Sequence, residues 1–104
     1  MSNPQININI DPDKIEAKYS DQAMISHNPF GFTIDFAQQI PQMNMIKILS
    51  RIAMSPGHAK AFSEVLSENI KTFEKNYGNI ELTKQMKEEV SSQKKIGFSV
   101  YAEK

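Results

Sequence analysis

The spacing of apolar residues changes at Ser55-Pro56. Ahead of that dipeptide, isoleucine and phenylalanine recur at every second position; beyond it, apolar residues recur every three or four. The first period belongs to half-buried strands and the second to an amphipathic helix. That switch puts a run of strands ahead of a long helix. The expected class is α+β: an antiparallel meander of about four strands packed against one long C-terminal amphipathic helix, with a short extra helix or strand tail.

The strands are read as follows. Ile6, Ile8 and Ile10 alternate with Asn7 and Asn9, and Asp11-Pro12-Asp13 ends that run. Ile15, Ala17 and Tyr19 begin a second alternation that continues raggedly through Ala23, Met24 and Ile25, with a bulge or break expected at Ser20 to Gln22. His27, Asn28, Pro29 and Gly31 mark a turn. Phe32, Ile34 and Phe36 then share one face against Thr33 and Asp35, up to Pro41. Ile46, Ile48, Ile52 and Met54 form the last row, opposite Lys47, Leu49 and Arg51.

Serine is a favoured helix N-cap and proline a favoured first helical residue. Ala59, Phe62, Leu66, Ile70, Phe73 and Tyr77 make the apolar stripe, and Asn76 to Gly78 supply the stop. Phe62, Leu66, Ile70 and Phe73 are expected to pack on a sheet face made by Phe32, Ile34, Phe36, Ile48 and Ile52. Full burial would make Phe62→Ala or Phe73→Ala cost about 3–5 kcal/mol. Residues 1–80 read as one domain, and 81–104 as an extension, partly helical or flexible. Within it Leu82, Met86 and Val90 suit a short helix, Ser91 to Gln93 a linker, and Ile96, Phe98 and Val100 a strand-like tail without an assigned partner.

Composition narrows the functional classes. One hundred and four residues hold one modest core. Twelve basic residues balance twelve acidic ones, which argues against direct nucleic-acid binding by phosphate neutralisation. With no cysteine there is no disulfide, thiolate catalysis or thiolate-bound zinc. No apolar run suits a membrane span or a secretory signal, so the expected location is cytoplasmic. His27, placed in a turn, and His58, in the first helical turn, lack ligand partners at metal-binding spacing. Asp11, Asp13 and Glu16 fail as a calcium loop, because Glu16 stands where glycine is required and Gln22 where an acid is. No glycine-rich phosphate loop or nucleophile elbow occurs. The chain is therefore expected to be no enzyme and to need no cofactor.

Two groups of residues stand out. Asp35 and Arg51 fall on the polar faces of neighbouring strands and suit a cross-strand structural ion pair, worth at most about 1 kcal/mol if exposed. Phe30, Met43 and Met45 lie in or beside links, and Leu49 points to the polar side of its strand. Methionine adapts to varied partners, so these four residues form a candidate apolar interaction surface.

Several segments also resemble a known family. They are Tyr19-Ser20, Ile25-Ser26-His27-Asn28-Pro29, Phe32-Thr33-Ile34-Asp35-Phe36, Pro41, Ser50-Arg51-Ile52 and Ser55-Pro56-Gly57-His58-Ala59-Lys60. Asn69-Ile70, Phe73-Glu74 and Tyr77-Gly78-Asn79-Ile80 complete the set. Together they resemble a family of short bacterial and archaeal proteins, domain of unknown function 3467. The resemblance implies a small α+β domain and no catalytic residues; members encoded near RNA polymerase genes imply a link to transcription. The segment beyond Leu82 departs from it. The order of elements is also similar, at the level of fold, to export chaperones of the SecB kind.

The first functional expectation is a non-enzymatic binding and assembly module, with SecB-like polypeptide binding as its sharper form. Its partners would be itself, as a homodimer or dimer of dimers formed through the sheet, and an unidentified protein. The alternative is an accessory factor of the transcription machinery docked on protein; a small enzyme without a recognisable site comes third. Charge at Leu49 or Ile8 is expected to shift the assembly toward monomer.

Overall fold

The structure is a computed structural model that describes residues 5–92 and 98–101. A short 3-10 turn at Pro12–Lys14 precedes β1 (Gln22–Asn28) and β2 (Gly31–Ile40). A second 3-10 turn, Pro41–Met43, leads to β3 (Met45–Met54), followed by α1 (Pro56–Tyr77), α2 (Lys84–Ser92) and β4 (Phe98–Tyr101). The fold is α+β. Strands β1, β2 and β3 form an antiparallel meander. β4 joins β1 in parallel, giving the order β3-β2-β1-β4.

Local chemistry explains the joints. In the β1–β2 hairpin the Asn28 carboxamide oxygen accepts the Phe30 amide at 2.8 Å, a side-chain turn that sets Pro29 at the bend. Asn44 takes the left-handed conformation, φ 50, between Pro41–Met43 and β3, a region asparagine tolerates. At the head of α1 the Ser55 hydroxyl accepts the His58 amide at 3.1 Å, and Pro56 occupies the first turn, where its missing N–H is not needed. Gly78, φ 102, closes the helix, its amide donating to the Glu74 carbonyl at 2.9 Å. Thr83 caps α2 by accepting the Met86 amide at 3.1 Å.

Four expectations change. Residues 6–10 form no strand, and neither do residues 15–19; Ile6 and Ile8 are 85% and 97% exposed. Alternation makes a segment fit for pairing but supplies no partner, and an unpaired strand has no ladder to hold it. The meander thus has three strands, and β1 starts where a break was expected. There the Ser20 hydroxyl both donates to the Ala37 carbonyl (2.9 Å) and accepts the Ala37 amide (3.1 Å). Asp21 accepts the Gln39 amide at 3.0 Å, so both residues tie the incoming chain to β2. His27 stands on β1, not in a turn, with its ring 5.4 Å from that of Phe32. Ser91 and Ser92 belong to α2 and are not a linker; Gln93 and Ile96 lie outside the described residues.

The register divides the sheet differently from simple alternation. Phe36 pairs with Ser50 but Ala37 pairs with Ile48, so Leu49 is the extra residue of a β-bulge. The bulge reverses the facing of everything before it. Ile25, Phe32, Ile34, Phe36, Ile52 and Met54 share one face. Ile46 and Ile48 lie on the other, with Thr33, Asp35, Ala37, Arg51 and Ala53. Ile48 therefore cannot join Phe32, Ile34, Phe36 and Ile52 beneath a helix, as simple alternation predicts.

The helix itself does not lie on its own sheet. α1 touches β2 and β3 sparsely. Its stripe is open to solvent: Phe62 is 44%, Leu66 48%, Ile70 41% and Phe73 48% exposed. The cause is the connection. One residue, Ser55, separates β3 from α1, where connections between a strand and a helix that packs back on it usually take about 2–6 residues. Among the described residues only Ile34 and Ala37 are buried apolar side chains, and Asp35 is buried between them in sequence.

Candidate functional site

The sheet brings Asp35 and Arg51 directly opposite one another. Arg51 Nε donates to Asp35 Oδ1 at 2.7 Å and Arg51 Nη2 to Asp35 Oδ2 at 3.1 Å, a two-pronged pair. The pair is lopsided. The Asp35 side chain is 5% exposed and that of Arg51 68%. Asp35 is thus no member of a solvated face; a buried carboxylate is held by a guanidinium reaching in from the surface. That arrangement pins the register of β2 against β3 beside the bulge.

The four candidate interaction residues do not make one patch. Phe30 protrudes from the β1–β2 turn, 87% exposed. Met43 and Met45, 62% and 43% exposed, lie at the far end of β2, ten residues away or about 33 Å. Leu49 is half-buried in the bulge. It is the residue that the bulge adds and that no alternation rule counts.

A larger apolar surface lies where a core was expected. The stripe of α1 runs from Phe62 to Tyr77, and the chain after Gly78 returns beside it, where Ile80 donates its amide to the Glu74 carboxylate at 3.0 Å. Ile70, Phe73, Tyr77 and Ile80 line a shallow open groove there. The whole chain exposes 9181 Å², whereas a compact monomer of 11.8 kDa exposes about 5,900 Å². Its radius of gyration is 16.6 Å against about 13 Å for a compact domain of this length. Part of the excess is the extended segment ahead of β1, and exposed apolar residues of α1, the sheet and the 80–90 segment add to it. The signal that could have exposed this from sequence was the one-residue link at Ser55.

Other groupings are polar and shallow. A cleft at the β1–β2 turn is lined by Ser26, His27, Phe30 and Ser55. The Ser55 hydroxyl is 2.8 Å from His58 Nδ1, a contact that suggests a nucleophile and base. The same oxygen accepts the His58 amide, so it acts as a helix cap. Among the described residues no three acidic or histidine side chains stand close enough to hold a metal ion, and no helix is long and apolar enough to cross a membrane.

With this geometry in place, the comparisons with known proteins assign the family. The sequence matches the family described as "Protein of unknown function (DUF3467)" over residues 1–82. The chain belongs to this family. The DUF3467 match ends just ahead of α2, so α2 and β4 lie outside it. It covers the whole meander and α1, the parts that carry the ion pair and the open stripe. No curated protein and no solved structure matches the chain, and a SecB-like likeness is not among what the comparisons show.

Proposed function

We propose that this DUF3467 protein is a non-enzymatic binding and assembly module, cytoplasmic, that works through protein–protein contacts as a homodimer or dimer of dimers. One observation carries the reading: the chain exposes roughly 3,300 Å² more than a compact monomer of its mass, much of it apolar. Soluble monomers rarely carry contiguous apolar patches above a few hundred Å². Obligate interfaces bury about 2,000–5,000 Å² over both partners, or roughly 1,000–2,500 Å² per chain, so even a part of this excess matches permanent association better than a passing encounter. In its sharper form the same apolar surface takes extended polypeptide in the SecB manner. The test is light scattering on the eluting protein from about 1 to 100 micromolar. A dimer or tetramer is expected throughout; a monomer at the highest concentration removes the reading.

Phe30 favours a second reading. An aromatic ring 87% exposed at the tip of a hairpin, held by the Asn28 turn, suits insertion into a pocket of another protein. An accessory factor of the transcription machinery, docked on protein, would use such a tip. Phe30→Ser should then abolish co-purification with RNA polymerase and leave the oligomer unchanged. Equal recovery of polymerase with both proteins refutes it.

A further inference from the structure

We propose that two copies of this chain exchange their α1 helices. Each helix lays Phe62, Leu66, Ile70 and Phe73 across the other copy's sheet, on the face carrying Phe32 and Ile52. The proposal rests on the assembly reading above and names its partner and its contact.

Three features of the chain lead there. The first is the link at Ser55. α1 leaves the end of β3 with a single intervening residue, so it projects past its own sheet, and the molecule reaches 54 Å along its longest axis. A second copy related by a two-fold axis runs the opposite way and brings its sheet under the projecting helix. Two-fold pairing is the commonest closed assembly for a small chain, and exchange of an identical element is a low-cost way to build it.

The second is the spacing of the stripe. Ala59, Phe62, Leu66, Ile70, Phe73 and Tyr77 are separated by three, four, four, three and four residues, an average of 3.6. That keeps the stripe straight along an unsupercoiled helix. A heptad seam through Phe62 and Leu66 would continue at Asn69, Phe73 and Asn76, placing two carboxamides in the contact. A flat sheet therefore suits this helix better than a second α1. The lengths also agree: 22 helical residues span about 33 Å, as do ten residues of β2 or β3.

The third is the difference between the two sheet faces. One carries the Asp35–Arg51 pair with Thr33 at its centre, and Ile46 and Ile48 only toward the start of β3; the other carries Ile25, Phe32, Phe36 and Ile52 along its middle. Ile52 is 39% exposed, and Phe32 and Phe36 are only partly covered by their own chain. On the second face the stripe would meet His27 and Ser50, the partners of Phe32 and Phe36, but no ion pair, whereas on the first it would strand one.

The absence of cysteine makes the test direct. Three single-cysteine chains are prepared: Asn69→Cys on the rim of the α1 stripe, Ser50→Cys on the Phe32 face, and Ala53→Cys on the Asp35 face. All three positions are exposed, so folding is spared, and circular dichroism verifies it. Chains are mixed in pairs, equilibrated and treated with a short bismaleimide. Asn69→Cys mixed with Ser50→Cys should give a covalent dimer at least fivefold above either chain alone. Linkage chiefly within the Asn69→Cys sample, or with Ala53→Cys, overturns the exchange while leaving a dimer in light scattering. A monomeric wild type overturns both the exchange and the assembly reading.

Discussion

Removing Arg51 should damage this protein more than removing Asp35, although the two are partners in one ion pair. The Asp35 carboxylate is 5% exposed and the Arg51 side chain 68%. Arg51→Ala leaves a buried carboxylate without its two guanidinium hydrogen bonds, of 2.7 and 3.1 Å. Breaking a fully buried pair from one side costs about 3–5 kcal/mol. Water reaches most of Arg51, so the pair is partly screened and the expected cost falls to about 2–3 kcal/mol. Asp35→Ala takes one partner from a guanidinium that is already mostly exposed and loses little packing, about 1 kcal/mol. The double variant should resemble Asp35→Ala, giving a coupling of about 2 kcal/mol. Urea unfolding followed by circular dichroism measures this at one fixed protomer concentration, since stability of an assembly depends on it. With a slope of about 1–2 kcal/mol per molar urea, Arg51→Ala should lower the midpoint by roughly 1–3 M. A larger loss for Asp35→Ala than for Arg51→Ala, or a coupling under about 0.5 kcal/mol, would show that the burial asymmetry does not govern the pair.

Gly31→Ala would place a Cβ 2.6 Å from the Met54 carbonyl oxygen, where β2 begins beside the start of α1, so backbone must shift. A loss of about 1–3 kcal/mol is expected in the same urea titration, and an unchanged midpoint contradicts it. Ser55→Ala removes the oxygen that accepts the His58 amide; the cost is about 1 kcal/mol, seen as a fall in melting temperature of roughly 4–8 °C, and Ser55→Asp should restore most of it. Phe73→Ala, at a side chain 48% exposed in the single chain, should cost about 1–2 kcal/mol at dilutions where the protein is monomeric, below the 3–5 kcal/mol of a core site. The same change should weaken association at least tenfold in sedimentation equilibrium, and an unaltered dissociation constant counts against α1 as the contact.

Sequence alone determined the pieces whose causes are local. α1 begins at Ser55-Pro56 and ends at Gly78 because a cap, a proline and a left-handed glycine act within one helical turn. The two turns of the meander follow from Asn28-Pro29 and Asn44, and the opposition of Asp35 and Arg51 survives because the bulge lies on the far side of both. The family was legible in segments between Tyr19 and Ile80, which lie inside the matched residues 1–82.

Tertiary structure decided everything that needs a distant partner. Ile6, Ile8 and Ile10 alternate as well as any strand here, yet no neighbour pairs with them, whereas Phe98–Tyr101 gains strand form by lying along β1 from the other end of the chain. One extra residue at Leu49 turned Ile46 and Ile48 to the opposite face, a change that composition and period cannot register. The apolar stripe of α1 announced burial without naming what buries it. Hydrophobicity has no direction, so a stripe reads the same in the sequence whether or not the chain's own sheet covers it; here the single residue between β3 and α1 leaves it open.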